Sequence, residues 1–168
     1  VGDRWVHPLA APLDCTRNGS FVQRADGSLL TIESGQVKAS TDGGVTWTNV
    51  GEPFDAGAQF EHVGHVGQFM QTRDGTWVVL YLDLANRAWG WDDEKGAPNP
   101  DVKLEMWAIR SVDEGKTWTD KQRVIEGYNA DFMGFIETTD GRLVASVEHL
   151  SPALKRWIGF SLWSEDGG

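Results

Sequence analysis

One cysteine, two tyrosines and a shortage of basic residues set the first limits on this chain of 168 residues. Cys15 alone excludes an intramolecular disulfide and says little about redox compartment. With 15 Lys and Arg against 25 Asp and Glu, the formal net charge is -10, which argues against nucleic acid or an anionic membrane as partner. No apolar run approaches the roughly 18 residues of a membrane span, and no basic stretch leading into an apolar one opens the chain. The chain begins Val1-Gly2, so it is expected to be a processed or excised piece. Hydrophobic residues at 40% and charged residues at 24% are ordinary for a globular domain. What is abundant is glycine, at 20, and tryptophan, at 9, a pairing that suggests tight turns around large packed aromatics.

The sequence repeats itself. Ser40-Thr41-Asp42-Gly43-Gly44-Val45-Thr46-Trp47 and Ser111-Val112-Asp113-Glu114-Gly115-Lys116-Thr117-Trp118 share Ser-x-Asp-x-Gly-x-Thr-Trp, and Ser164-Glu165-Asp166-Gly167-Gly168 starts a third copy. Ahead of each copy stands an Asp-Gly pair, Asp26-Gly27, Asp74-Gly75 and Asp140-Gly141, with Phe21, Phe69 and Phe135 in one register before it. Asp-Gly between apolar stretches predicts a hairpin with a type I′ turn, in which both central residues take positive φ. The stretches after these turns, 28–32, 76–81 and 143–147, are rich in β-branched and aromatic residues, as strands are.

Each unit thus reads as four antiparallel strands, and the chain as an all-β protein with units at 14–60, 61–127 and 128–168. Repeated units of this kind are the blades of a β-propeller, here about three of them. The variable part is the loop between second and third strands: short at 33–36, long at Asp83 to Lys103, and intermediate at Glu148 to Arg156. In the eight-residue motif, the Asp side chain can accept backbone N–H bonds, the Gly can turn left-handed and the Ser and Thr hydroxyls can tie the arms together. The Trp would cover the hairpin or pack between neighbouring units. A calcium loop needs oxygen ligands at alternating positions and a distal Glu, a pattern that is missing, so neither metal nor cofactor is expected.

The motif resembles the Asp box, or BNR repeat, of bacterial and animal sialidases, and the resemblance covers essentially residues 17 to 168. Similar boxes occur in other secreted propellers, including polysaccharide-active enzymes and sorting receptors, so the repeat does not fix an activity. The resemblance implies a secreted or periplasmic protein whose boxes lie on the face opposite the active site. Antiparallel alternation then puts the Asp-Gly turns on the box face and the variable loops on the active face. Counting back from each Asp-Gly turn gives Arg17, His65 and Asp131 at equivalent positions around one channel mouth.

Arg17 matches in spacing the Arg of the sialidase Arg-Ile-Pro motif, which binds the substrate carboxylate, although Asn18-Gly19 replaces Ile-Pro. A guanidinium fork suits that task; the alternative is a solvated loop residue. His65, with His62 nearby, reads as a general base, as a substrate donor or as a polar lining residue. Asp131 reads as a proton donor or as the partner of a cation. In the long loop, Arg87, Trp89, Trp91, Asp92 and Asp93 combine flat apolar faces with hydrogen-bonding groups, as sugar recognition requires; the alternative is a flap whose Trp residues cover a neighbour. Glu148, His149 and Arg156, with Trp157, fall on the equivalent loop of the third unit and would complete the rim.

The resemblance also marks what is missing. A retaining sialidase uses a Tyr nucleophile paired with a carboxylate, an Asp acid and three arginines. Tyr81 and Tyr128 match no counterpart, and the 33–36 loop is too short to carry the acid. Three readings stand: a sialidase-like glycoside hydrolase exo-acting on acidic sugars such as sialic acid, a propeller lyase or hydrolase for uronic-acid glycans, and a non-catalytic propeller that binds glycans or proteins. The expected partner is a glycan or oligosaccharide. Because propellers close with about four to eight blades, the chain is expected either to be a fragment or to pair with a second copy as a homodimer completing a six-bladed ring.

Overall fold

The computed structural model describes residues 8–10, 14–17, 20–33, 36–51 and 68–168. All regular structure among them is β. Strands β1 (Val22–Gln23), β2 (Leu29–Glu33), β3 (Gln36–Ser40) and β4 (Thr48–Gly51) form one antiparallel sheet in sequence order. A second sheet is ordered β10-β9-β6-β5, from β5 (Gln68–Gln71), β6 (Trp77–Leu82), β9 (Met106–Ser111) and β10 (Thr119–Ile125). Between β6 and β9 a small ribbon is inserted, β7 (Trp91–Asp92) against β8 (Ala97–Pro98). The third sheet has three described strands, β11 (Tyr128–Glu137), β12 (Leu143–Ser151) and β13 (Arg156–Ser164).

The second sheet is the centre of the packing, and β6 shows why. Its sequence Trp77-Val78-Val79-Leu80-Tyr81-Leu82 is apolar at every position and every residue is buried, as expected of a strand covered on both faces. The period of two sorts these residues. Trp77, Val79 and Tyr81 join Val22, Leu30, Ile32, Val37, Phe69 and Ile109 in a core shared with the first sheet. Leu82 joins Val102, Leu104, Met106, Tyr128, Val147 and Leu150, and Leu80 joins Ala108 and Ala145, in cores shared with the third.

The Asp-Gly hairpins form, with a different turn from the expected type I′. Gly27, Gly75 and Gly141 are left-handed, whereas the aspartates before them are not. In each hairpin the Gly N–H donates to the carbonyl three residues back, at Arg24, Thr72 or Thr138, and that residue's N–H donates to the carbonyl after the Gly. This is a three-residue loop with a glycine bulge, which needs one positive φ rather than two. The Asp side chain fills the space instead: Ser28 N and Thr76 N donate to Asp26 and Asp74 at 2.9 and 3.0 Å.

Two loops are more ordered than the sequence suggests. The segment expected as an intermediate loop from Glu148 to Arg156 is mostly strand, because β12 and β13 pair continuously out to Ser151 opposite Arg156 and leave only the turn 152–155. The long loop is a folded extension: Ala88 pairs with Lys103, the β7-β8 ribbon caps it, and Leu104 bridges to Tyr128 in β11.

Candidate functional site

The two ends of the sheets are chemically distinct. At one end lie the Asp-Gly turns and the eight-residue motifs, held to each other across the sheets. Arg24 reaches Glu114 at 3.0 Å, Arg73 donates to Thr138 O at 2.7 Å, and Arg110 donates to Asp166 O at 2.9 Å. The motifs build one network. Ser40 Oγ donates to Asp42 at 2.7 Å and accepts from Gly44 N at 2.9 Å; Ser111 does the same with Asp113 and Gly115, at 2.8 Å each. Thr46 and Thr117 donate through N–H and hydroxyl to Asp42 and Asp113, and the Trp47 and Trp118 indoles donate to Gly44 O and Gly115 O. Ser164, Asp166 and Gly168 repeat the serine-centred part. Both Asp42 and Asp113 are held down from the ordinary 3.8 to about 2, first by the Thr hydroxyls. These carboxylates are occupied by the fold.

Trp118 packs against Trp77, and so joins the edge of the core shared by the first two sheets, while Trp47 stacks on Phe21 at 5.8 Å. Near the third motif a cleft of about 520 Å³, lined by Val78, Leu80, Phe135, Ala145 and Leu162, separates the second and third sheets. It is the gap between two sheet faces, and the charged residues of its lining, Arg123, Glu165 and Asp166, are engaged with Glu105, Arg142 and Ser164.

At the opposite end the extension of the second sheet meets the third. Trp89 lies against the buried Tyr128 with ring centroids 4.8 Å apart, and Trp157 lies edge-on to the same ring at 6.0 Å. Both Trp residues keep much of their surface exposed, 53% and 39%. Arg87 Nε donates to the Tyr128 hydroxyl at 3.3 Å, and Lys155 Nζ donates to Lys95 O at 3.2 Å, tying the extension to the β12-β13 turn. Among the described residues neither Arg87 nor Arg156 meets a carboxylate. Asp92 is taken up by Lys95 at 2.6 Å, and Asp93, like Trp91, is exposed on the ribbon. Glu148 is half-buried on β12. His149 bonds Asn129 at 3.0 Å.

The three residues counted back from the Asp-Gly turns fare differently. Arg17 is half-buried and ion-paired with Glu33, the last residue of β2, which also accepts from Lys38 at 2.8 Å. Arg17 and then Lys38 hold the Glu33 carboxyl below its ordinary range. Its guanidinium therefore already faces an internal carboxylate. Asp131 is exposed where β11 shifts register against β12. His65 lies outside the described residues. The first strands of the first two sheets do meet: Ser20 donates to Gln68 at 2.9 Å, and a polar groove of about 540 Å³ lined by Ser20, Gln23, Gln68 and Gln71 runs between β1 and β5.

Reading the sequence missed Tyr128, Asn129 and Glu33 as parts of this end. Tyr128 has a visible signal, an aromatic at a strand start directly after Gly127. Glu33 has none, since its importance comes from a partner sixteen residues away.

No protein-family model and no curated protein matches the chain. Solved structures are similar, two of them as follows. The Hadza microbial sialidase Hz136 aligns over 89% of this chain at 17% identity with a TM-score of 0.51. A protein of unknown function from Dyadobacter fermentans aligns over 79% at 20% identity with a TM-score of 0.47. The chain spans about a third of each, 35% and 34%. At that identity the likeness to the sialidase is one of fold, and it is to a fold of antiparallel four-stranded sheets such as this chain builds.

Proposed function

We propose that these sheets are blades of a sialidase-like β-propeller, and that the end opposite the Asp boxes binds an acidic glycan. The observation that carries this reading is the Trp89-Tyr128-Trp157 platform, with Arg87 bonded to the hydroxyl of its central ring. Exposed indole faces stack on sugar rings. Among the described residues the Arg87 guanidinium meets no carboxylate, which on a chain of formal charge -10 favours an anionic ligand. The Asp boxes serve the fold and leave the other end free to vary. In this reading the protein is a secreted or periplasmic glycoside hydrolase exo-acting on sugars such as sialic acid, with Asp131 a candidate acid. The ring is completed by further blades or by a second copy of the chain.

Calorimetric titration with sialyllactose and turnover of a fluorogenic sialoside test this. Binding that weakens about tenfold in Trp89→Ala is expected, by loss of one stacking contact. Absence of binding to sialyllactose and to uronate oligosaccharides alike would end the glycan reading. Binding to uronate alone, with a gain of unsaturated-product absorbance, would replace the hydrolase by a lyase.

A further inference from the structure

At the same end of the third sheet, on the face opposite the Tyr128 and Trp157 rings, sits a histidine whose tautomer is fixed by a neighbour. Asn129 is buried to 1% exposure, next in the chain to Tyr128, and pairs across the sheet with His149. Its amide has only one workable orientation. Leu104 O at 2.9 Å and Glu126 O at 3.4 Å can only accept, so the Asn129 nitrogen faces them and donates to both. The Asn129 oxygen is then the atom 3.0 Å from His149 Nδ1, and an amide oxygen can only accept.

We infer that Asn129 holds His149 in its Nδ1–H tautomer, so that Nε2 presents a lone pair as the acceptor for a hydroxyl of the bound glycan. The ring's place is fixed on two further sides. Gly127 is left-handed at φ 80° and bare, and a methyl group there would come within 3.0 Å of His149 Cε1. Phe160 stands edge-on to the imidazole at 6.0 Å. Among the described residues no group hydrogen-bonds Nε2. Burial lowers the imidazole from its ordinary 6.5, which keeps the lone pair unprotonated at neutral pH. Asn129 acts as a positioning residue, and His149 as the group that meets the ligand.

The tautomer stands on the protein's own geometry; the glycan hydroxyl rests on the function proposed above. Nitrogen-15 NMR of the imidazoles separates the two. At pH 7 the His149 signals are expected to be those of Nδ1–H with an unprotonated Nε2, and Asn129→Ala should shift them toward the Nε2–H form. Saturating sialyllactose should move the Nε2 resonance, and His149→Ala should weaken binding about tenfold, the scale of one hydrogen bond. An Nε2–H or doubly protonated ring in the unaltered protein overturns the inference without any variant having to fold. If the tautomer is as stated but the sugar moves only the Trp89 and Trp157 signals, the platform survives and the role of His149 falls. If no sugar binds, both the glycan reading and the acceptor role fail, and only the tautomer stands.

Discussion

The two ends of the sheets are built by opposite rules. At the Asp-box end the same side chains make the same bonds in successive copies: a Ser hydroxyl between Asp and Gly N–H, and a left-handed Gly closing the turn. At the other end the described connections differ in kind: Gln36 pairs directly with Glu33, the second sheet carries an extension over 83–105, and the third makes a four-residue turn. The first end spends its polar groups on itself. Among the described residues the second leaves Arg87 and Arg156 without a carboxylate and two tryptophan faces largely in solvent. Structural constancy at one end is what permits variety at the other, because each connection at the varied end hangs from strands already pinned at the constant end.

The strongest way to break this contrast is to damage the constant end. Gly115 is left-handed at φ 80°, and a methyl group on it would lie 2.7 Å from Trp77 Cζ3, in the core. Gly115→Ala therefore combines backbone strain of about 1 kcal/mol with overpacking of about 1–3 kcal/mol. Gly27 is also left-handed but has open space around its Cα, so Gly27→Ala carries only the first cost. Urea unfolding should rank Gly115→Ala below Gly27→Ala by about 2 kcal/mol. Equal losses would mean that the box turn is not wedged against the core.

Damage to the varied end should leave stability nearly untouched and remove binding. Trp89 is half exposed and belongs to no core cluster, so Trp89→Ala is expected to unfold within about 0.5 kcal/mol of the unaltered protein. Its sugar affinity should fall about tenfold. A Trp89→Ala protein that is strongly destabilised would show the platform to be a packing device.

Much of the constant end is legible in the sequence, since the bonds within each motif run between residues two to four apart. Ser40, Asp42, Gly44 and Thr46 carry their own instructions, and so do their counterparts in the second copy. The turn type is less legible. Asp26-Gly27 reads as type I′ from composition, but Asp26 finds a better use accepting from Ser28 N, and the loop takes a glycine bulge. The varied end is legible only in outline. Trp89 and Arg87 stand out as residues of a long loop, yet nothing local says that Leu104 will bridge to Tyr128 and carry that loop onto the third sheet. Arg17 shows the same limit, because a guanidinium read as a ligand anchor turns out to face Glu33.

Acid separates the ends in a smaller but sharper way. Asp42 and Asp113 have folded values of about 2, below the ordinary 3.8. A carboxyl with a lowered folded pKa lends its stability above the unfolded value, and loses it as pH falls through the folded one. The window is therefore from about 4 down to about 2. Thr117→Val removes the hydroxyl that contributes most to Asp113, so its acid-unfolding midpoint should lie at higher pH than that of the unaltered protein. A midpoint that does not move would show that the carboxylate is held by Ser111 and its backbone bonds without the Thr117 hydroxyl.

The smallest expected effect concerns the one charge cluster shared by the entry segment and the far end of the first sheet. Arg17 precedes β1, Glu33 ends β2, and Lys38 lies on β3, so the cluster ties the entry segment by charge to two strands that are themselves joined by backbone bonds. Both side chains of the Arg17-Glu33 pair keep about a third of their surface in solvent, 34% and 29%. Such pairs contribute about 0.2–1 kcal/mol, and salt screens them. A double-mutant cycle of Arg17→Ala and Glu33→Ala should give a coupling in that range at low salt and a smaller one in concentrated salt. The Asp113-Thr117 bond joins a carboxylate to a neutral hydroxyl, so the same cycle there should change little with salt. A pair at Arg17 that resists salt would mean the cluster is shielded from solvent, and the guanidinium would then be closed to any ligand carboxylate. A coupling that disappears in salt would leave Arg17 free to exchange Glu33 for the acidic group of a sugar.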